Sequence, residues 1–305
     1  YKETIRKEVW DLSENSAGVS VLFSSDTVKL SVKWSLKHDL RMNHMTDAGI
    51  KGVDLYEKRD QNWYYIGTCL PNGKENDQIL FEDIERKKRE YCLFLPLYDT
   101  LIDMQIGLDD DSSIENITFQ NKPLVFYGTS ITQGGCASRP GLAHTNIISR
   151  ELGYECINLG FSGNGHLESS IGAIMSDIDA SLYVVECMYN VDKKMINQKT
   201  RSLIKAIRAN PNSKNTPIVF MEQAVIDIGH INAEFISSVM GKNEELNKQI
   251  QESINGGEKN LFIIKHTGAI DKDSEATVDG IHFNDLGFQR YADHFLKNIK
   301  ELDIL

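Results

Sequence analysis

The second half of the chain is constrained most by a regular alternation of two kinds of segment. From residue 122 onward, short apolar runs are each followed by a longer segment with helical periodicity. This alternation predicts parallel strands in a sheet that helices cover on both faces. With right-handed crossovers, the expected fold is α/β with a flavodoxin-like strand order, 2-1-3-4-5. The strands are predicted at 124–127, 156–159, 182–186, 218–221 and 261–264, and the helices at 144–152, 167–175, 194–209, 237–255 and 288–302.

The first 118 residues follow a different pattern, with almost no helical periodicity. Apolar residues stand at every second position from 28 to 36, which is the period of a strand with one buried face. Several short runs of this kind favour a β-sandwich. Ser25 and Asp26 are predicted to form a short hairpin connection. We place an N-terminal β-sandwich domain at 1–118 and a second domain at 119–305. The further strand-like runs are 19–23, 52–56, 63–68, 91–95 and 102–108.

Ser130 lies where the first predicted strand of the second domain ends. The run 124–127 breaks at Gly128, and Ser130 follows two residues later. The carboxyl ends of strands in open α/β sheets are where ligands bind, so a serine there can act as a nucleophile beside free backbone N–H groups. From this stretch alone, the alternative is that Ser130 only caps the next helix.

A second polar pair, about 150 residues further on, favours the catalytic interpretation. Asp279 and His282 lie three residues apart in one short loop. A serine nucleophile needs a general base, and the base needs a group that fixes its tautomer. Ser130, His282 and Asp279 are therefore predicted to form a catalytic triad.

These blocks resemble the SGNH/GDSL-type hydrolases, and more closely the two-domain bacterial kind with a Gly-x-Asp-Leu-Tyr segment near the N-terminus. The N-terminal segment is Gly52-Val53-Asp54-Leu55-Tyr56, and the four blocks are Gly128-Thr129-Ser130-Ile131-Thr132, 158–165, 186–190, and Asp279 with His282. The resemblance implies a jelly-roll-like sandwich followed by a flavodoxin-like, three-layer catalytic domain.

The resemblance also assigns an oxyanion hole, which consists of the backbone amides of Ser130 and Gly163 and the side-chain amide of Asn190. Two positions depart from the family's common pattern. Thr129 stands where the first block usually has aspartate, and Met188 stands where the third block usually has glycine. Neither departure removes a member of the triad.

The expected activity is that of a serine esterase or acylhydrolase acting on small acyl esters. The resemblance implies carbohydrate or small-molecule substrates, with O-acetyl groups as the expected acyl part, and no metal or cofactor. Arg139 is a candidate for binding a polar part of the substrate, with a surface ion pair as the equal alternative, and Glu222 is a second candidate. An acyltransferase with the same triad and a non-catalytic carbohydrate-binding protein remain open.

The N-terminal domain carries several aromatic residues whose role the sequence leaves open. Trp34, Trp63, Tyr64 and Tyr65 are compatible with a carbohydrate-stacking platform. Packing in the core or between domains is the favoured interpretation, because aromatic residues at alternate strand positions are ordinary core residues.

Composition limits the classes of partner. The chain has 305 residues, of which 41% are hydrophobic and 25% charged, as in globular proteins with a real core. A net charge of -11 argues against nucleic acid or an anionic membrane as partner. No apolar run approaches the roughly 20 residues of a membrane span. The five cysteines lack metal-type spacing and are expected to be buried thiols.

The chain begins at Tyr1 rather than methionine, which we interpret as the removal of a leader or tag. A secreted or periplasmic location is expected, and a cytoplasmic one stays open. The sequence does not set the oligomeric state.

Overall fold

The computed structural model describes residues 1–225, 231–270 and 273–305. Its N-terminal part contains two antiparallel sheets, with spatial orders β4-β3-β6-β1-β8 and β5-β2-β7. The elements are α1 (Lys7–Ser13), β1 (Ser20–Ser25), β2 (Leu30–Leu36), α2 (Asp47–Lys51), β3 (Val53–Arg59), β4 (Asn62–Cys69), β5 (Glu75–Phe81), β6 (Arg89–Phe94), β7 (Leu101–Leu108) and β8 (Ile114–Asn116).

The two sheets enclose one apolar core, which confirms the predicted sandwich. Strand β2 alternates as expected, with Leu30, Val32, Trp34 and Leu36 buried and the residues between them more exposed. The predicted hairpin at 25–26 is wrong, because β1 pairs with β6 and β8 whereas β2 pairs with β5 and β7. The connection between β1 and β2 therefore crosses from one sheet to the other.

Four elements of the N-terminal part are absent from the sequence prediction, and one of them, β8, is only three exposed residues long. Strand β5 lies at the edge of its sheet and begins with the polar run Glu75-Asn76-Asp77-Gln78, so its sequence has little strand character. Helices α1 and α2 are only seven and five residues long. Helices this short depend on tertiary contacts more than on propensity, so their sequences carry weak signals.

The second half contains the predicted parallel sheet, with spatial order β10-β9-β11-β12-β13. In order along the chain this is 2-1-3-4-5, which confirms the expected flavodoxin-like topology. The elements are β9 (Leu124–Gly128), α3 (Ser130–Gln133), α4 (His144–Leu152), β10 (Cys156–Gly160), α5 (Ser169–Ser176), β11 (Leu182–Glu186), α6 (Lys193–Ile207), β12 (Ile218–Met221), α7 (Ala233–Asn255), β13 (Leu261–Ile264) and α8 (Asp285–Leu302).

Helices cover both faces of this sheet. Leu124 and Phe126 of β9 face a core shared with α4 and α8, whereas Val125 and Tyr127 face a core shared with α5, α6 and α7. All five residues of β9 are buried, as expected for a strand covered on both faces. Among the described residues, every helix is too short or too polar to span a lipid bilayer.

The first residues of the chain pack against the α/β part rather than against the sandwich. Val9 of α1 is fully buried in the core to which α5, α6 and α7 also contribute. Arg6 donates hydrogen bonds to Glu168 and to Asn164, with an Nη1–Oδ1 distance of 2.8 Å to the latter. The chain therefore begins on the α/β part, forms the sandwich and returns to the α/β part at β9. The domain limits 1–118 and 119–305 stay a prediction.

Candidate active site

Ser130 is the first residue of α3, immediately beyond β9. The helix is capped by Thr129, whose hydroxyl accepts from the Ile131 N–H at 3.3 Å, so Ser130 does not serve as the cap. Gly128 is required at the turn, because an added Cβ would lie 1.9 Å from the Thr132 hydroxyl. Thr129 can replace the family's aspartate here, since both residue types are effective helix caps.

The Ser130 hydroxyl meets His282, although the two residues are 152 positions apart in the chain. Ser130 Oγ lies 2.9 Å from His282 Nε2. His282 Nδ1 lies 2.8 Å from Asp279 Oδ2. The imidazole therefore bridges a hydroxyl and a carboxylate, as a general base of the serine-hydrolase type requires.

The loop that carries Asp279 and His282 is fixed from several sides. The Val278 N–H donates to the His282 carbonyl at 2.9 Å, and the adjacent Phe283 is fully buried. Asp279 Oδ1 accepts from the backbone N–H groups of Ile281 and His282, at 3.0 and 2.8 Å. Partial burial raises the pKa of Asp279, but the backbone and side-chain hydrogen bonds from His282 outweigh it and lower the pKa to about 2. The carboxylate is therefore ionised at neutral pH.

The predicted oxyanion residues follow three adjacent strands. Ser130, Gly163 and Asn190 come after β9, β10 and β11, whose ends are aligned because Gly128 pairs with both Gly160 and Glu186. The Gly165 N–H donates to Asn190 Oδ1 at 3.2 Å. This bond engages the amide oxygen of Asn190 and leaves its NH₂ group as the donor for another acceptor. The assignment of these donors to an oxyanion stays a prediction.

Arg6 anchors the loop that contains Gly163, a role that the sequence analysis missed. Its guanidinium reaches both Asn164, next to Gly163, and Glu168 at the end of the loop. Gly163 itself has φ +67°, in the left-handed region that favours glycine. A contact over more than 150 residues leaves no local pattern in the sequence.

Residues of the N-terminal part also reach the nucleophile. The Tyr98 hydroxyl donates to the Ser130 carbonyl at 3.2 Å, and burial raises the pKa of this phenol. Gln133 Nε2 donates to the Leu97 carbonyl at 3.1 Å. The ring of His44 lies 5.4 Å from the ring of His282, at an angle of 62°. Tyr98 and His44 lie in segments without a recognisable motif, so neither was predicted to reach the site.

Arg139 is held by the Gly-x-Asp-Leu-Tyr segment. Its Nη1 donates to Asp54 Oδ2 at 2.8 Å and to the Tyr56 hydroxyl at 2.6 Å, and its guanidinium lies 3.9 Å from the centre of the Tyr65 ring. The Gly141 N–H also donates to Asp54 Oδ2, at 2.7 Å. Arg139 therefore forms a largely buried ion pair between the two parts of the chain. Its role toward substrate stays a prediction.

Burial and ion pairing oppose each other in this pair. Burial raises the pKa of Asp54, against the lowering effect of Arg139, Thr68 and Gly141. Burial lowers the pKa of Arg139, but Tyr56 and Asp54 outweigh it and raise that pKa. We take the pair as ionised, because the carboxylate accepts three hydrogen bonds, from Thr68, Arg139 and Gly141.

The second substrate candidate, Glu222, is engaged in internal contacts. It accepts hydrogen bonds from Asn247, Lys265 and the backbone of His266, at 2.6, 2.9 and 3.1 Å. Burial raises the pKa of Glu222, but these three hydrogen bonds together outweigh it and lower that pKa. Its role toward substrate stays a prediction, as does that of Arg139.

The aromatic residues of the sandwich do not form one exposed platform. Trp34 is buried and donates from Nε1 to the Lys51 carbonyl at 3.0 Å. Tyr65 and Tyr64 are equally exposed, at 46% and 45%. Tyr65 contacts Arg139 and Tyr56, and Tyr64 lies beside Arg59. The favoured interpretation, packing in the core and between domains, therefore describes Trp34 fully and Tyr65 in part.

Comparison with solved structures supports the fold. A GDSL-like lipase from Bacteroides ovatus ATCC 8483 is 33% identical, with a TM-score of 0.93 over 98% of this chain and 89% of that one. The salicylyl-acyltransferase SsfX3 of a tetracycline biosynthetic pathway is 16% identical, with a TM-score of 0.82 over 99% and 88%. The acetyl xylan esterase Est2A from the rumen bacterium Butyrivibrio proteoclasticus is 12% identical, with a TM-score of 0.62 over 95% and 92%.

Comparison with family profiles covers nearly the whole chain. Residues 1–114 match the N-terminus of the Esterase_SGNH_hydro type, named GxDLY. Residues 121–300 match the GDSL-like lipase/acylhydrolase family. No curated protein sequence matches the chain. The chain therefore belongs to the GDSL-like lipase/acylhydrolase family and carries the GxDLY N-terminal region, as the resemblance of its sequence blocks predicted.

Proposed function

We propose that this protein is a serine esterase that removes small acyl groups, O-acetyl in particular, from carbohydrate or small-molecule esters. One observation carries the proposal: the His282 imidazole lies within hydrogen-bond distance of both the Ser130 hydroxyl and the Asp279 carboxylate. Such a chain of contacts activates a hydroxyl that is otherwise a weak nucleophile. Membership of an acylhydrolase family supports the ester as the class of substrate.

In the acylation step, His282 Nε2 takes the proton of Ser130 Oγ as the oxygen attacks the ester carbonyl. Asp279 holds the Nδ1–H and stabilises the imidazolium. The carbonyl oxygen becomes an oxyanion, which the amides of Ser130, Gly163 and Asn190 stabilise. One such donor is typically worth roughly 3 kcal/mol in the transition state. The imidazolium then protonates the departing alcohol, and an acyl-serine remains.

Deacylation repeats these steps with water as the nucleophile. His282 removes a proton from the water, the oxygen attacks the acyl-serine, and the carboxylic acid leaves as Ser130 regains its proton. An acyltransferase differs only in this step, where an alcohol replaces the water. The similarity in fold to a salicylyl-acyltransferase keeps this second activity as the alternative to be tested.

The acetyl group is proposed from the family resemblance and from the acetyl xylan esterase with the same fold. The decisive assay measures release of acid from nitrophenyl esters of two, four and eight carbons and from acetylated xylo-oligosaccharides. We expect turnover to be highest for acetate. The same assay with added alcohol separates hydrolysis from transfer, because transfer yields a new ester.

Ser130→Ala tests the assignment of the nucleophile. Ser138→Ala is the matched control, because this serine lies in the loop after α3 and uses its backbone N–H and carbonyl for its contacts with Asp285 and Thr46. We expect Ser130→Ala to lose turnover and labelling by a serine-reactive phosphonate, whereas Ser138→Ala retains both. Equal turnover of the two variants would disprove the proposed triad. Absence of labelling in the wild type would favour a non-catalytic carbohydrate-binding protein.

A further inference from the structure

Three side chains with metal-binding atoms meet beside the proposed nucleophile. His44, Cys136 and His282 each offer one ligand atom, and these atoms lie within 4.8 Å of one another. They come from the segment between β2 and α2, the loop after α3, and the loop before α8. Within the described parts of the chain, no other group of three His, Cys, Asp or Glu side chains is this close.

The separation of the three atoms is near that of a tetrahedral zinc site. Zinc–nitrogen bonds of about 2.0–2.1 Å and zinc–sulfur bonds of about 2.3 Å place neighbouring ligand atoms about 3.3–3.6 Å apart. A separation of 4.8 Å must therefore shorten by about 1.2–1.5 Å on binding. His44 can supply this movement, because it lies in a bend outside regular structure and is only partly buried.

The two imidazoles already have partners of the kind that metal-bound histidines use. Asp279 holds Nδ1 of His282 at 2.8 Å, which leaves Nε2 to face outward toward Ser130. Asn43 Oδ1 lies 3.1 Å from Nδ1 of His44, and an amide oxygen there requires the proton on Nδ1 and leaves the lone pair on Nε2. A carboxylate or amide oxygen behind a ligating imidazole fixes its tautomer and raises its basicity.

Cys136 brings the third ligand, and its thiol has no role in the proposed ester chemistry. The residue is 6% exposed and has φ +75°, a left-handed conformation that is uncommon outside glycine. A cysteine sulfur binds a metal as the thiolate, so zinc binding at Cys136 releases a proton.

We propose that His44, Cys136 and His282 bind one Zn²⁺ ion and that this ion switches off the enzyme. Two imidazoles and a thiolate form a donor set that suits zinc, with one coordination position left for water or Ser130 Oγ. On binding, the S–H bond of Cys136 breaks, the sulfur bonds to zinc, and the proton passes to solvent. His282 Nε2 gives up its hydrogen bond to Ser130 and bonds to the metal. The base is then occupied, so the hydroxyl cannot be deprotonated.

Calorimetry on the metal-free protein tests binding without reference to activity. We expect one Zn²⁺ per chain for the wild type and also for Ser130→Ala, which keeps all three ligands. Loss of a side chain that only supports a metal ligand typically lowers metal affinity about 10–100-fold. His44→Ala and Cys136→Ser remove the ligands themselves, so each should lower zinc affinity at least tenfold. The matched controls are His38→Ala, on the same segment as His44, and Cys69→Ser, a thiol buried in the sandwich.

Co²⁺ gives an independent signal for the thiolate. A sulfur-to-cobalt charge-transfer band is expected in the wild type and in His38→Ala, and it should be lost in Cys136→Ser. Unchanged zinc affinity in both His44→Ala and Cys136→Ser would overturn the site. Because His44 is partly exposed, its variant remains informative even if Cys136→Ser fails to fold.

The inhibitory part rests on the proposed esterase function and has its own readout. Each variant's acetate ester turnover is compared with and without saturating Zn²⁺, relative to its own metal-free rate. We expect loss of turnover in the wild type, recovery with a chelator, and at least tenfold more zinc needed for the same inhibition in His44→Ala. Full turnover at saturating zinc would overturn the inhibitory role. If the metal-free wild type has no ester turnover, both the esterase function and the inhibitory role of zinc are refuted. Calorimetry would still show whether the three residues bind zinc.

Discussion

Removing the Asp54 carboxylate is expected to destabilise the protein and to loosen the loop that follows the nucleophile. Asp54 is fully buried and accepts hydrogen bonds from Thr68 Oγ1, Arg139 Nη1 and the Gly141 N–H, at 2.6, 2.8 and 2.7 Å. Two of these donors belong to the segment that begins just after Ser130. The carboxylate therefore connects the sandwich to the catalytic part of the chain.

Two substitutions at Asp54 separate the effect of charge from that of lost partners. Asp54→Ala leaves the Arg139 guanidinium beside Tyr56 and Tyr65 without a carboxylate partner, and removal of one member of a buried ion pair costs about 3–5 kcal/mol. Asp54→Asn keeps the shape, because its amide oxygen can accept from Arg139 and Gly141 while its NH₂ group donates to Thr68. Only the charge assistance is then lost, so we expect a cost of about 1–2 kcal/mol.

Urea denaturation followed by tryptophan fluorescence and far-UV circular dichroism measures these differences in the free energy of unfolding. Asp77→Ala is the control, because this exposed aspartate lies 4.0 Å from Lys33 and its removal should cost less than about 0.5 kcal/mol. Ester turnover, measured without urea, should fall more for Asp54→Ala than for Asp54→Asn. The expected loss for Asp54→Ala is about 3–5 kcal/mol. A free energy of unfolding within about 1 kcal/mol of the wild-type value would therefore refute the reasoning.

Three further predictions concern the proposed catalytic groups. Asp279→Asn should lower kcat by about 10³–10⁴-fold. In the wild type, the Asp279 pKa of about 2 lies below the ordinary value near 3.9. The contribution of Asp279 to the free energy of unfolding should therefore be constant above about pH 4 and be lost as the pH falls toward 2 in acid titrations. Asn190→Ala should lower kcat by about 10²–10³-fold, as expected for an oxyanion donor, and an unchanged kcat would remove it from that role. Gly163→Ala should cost about 1–2 kcal/mol in thermal unfolding, because its φ of +67° is unfavourable for alanine. The cost stays small because no atom lies within 4 Å of the added Cβ. Gly160→Ala should destabilise the protein far more, because its Cβ would lie 2.1 Å from the Gln133 nitrogen.

The fold of the second half could be predicted because its signals are local and strong. Strand β9 is a continuous apolar run that ends at a glycine, and α8 carries its apolar residues at helical spacing. Phe288, Tyr291, Phe295 and Ile299 are all buried, as that spacing indicates. The strand order then follows from the handedness of the crossovers.

The surroundings of the site were harder to predict, because they depend on contacts between distant parts of the chain. The side chains of Ser130, His282 and Asp279 lie together, and the ordered motif indicated this. The approach of His44 and Tyr98 to the same place depends on how the sandwich packs against the sheet. The sequence left Arg139 with a substrate contact and a surface ion pair as equal alternatives. Its ion-pair partner, Asp54, lies 85 residues earlier, and no local pattern connects the two.

The docking of α1 determines how the sandwich is attached. Both α1 and β9 pack in the cores of the α/β part. The sandwich between them is therefore connected to that part at both of its ends, as an inserted loop is. Two covalent crossings restrict rotation of the sandwich far more than a single linker would. A protein that began at residue 119 would lack Val9 and Arg6. An apolar hollow would then open in the core to which α5, α6 and α7 contribute, and the loop around Gly163 would lose its contacts with Arg6.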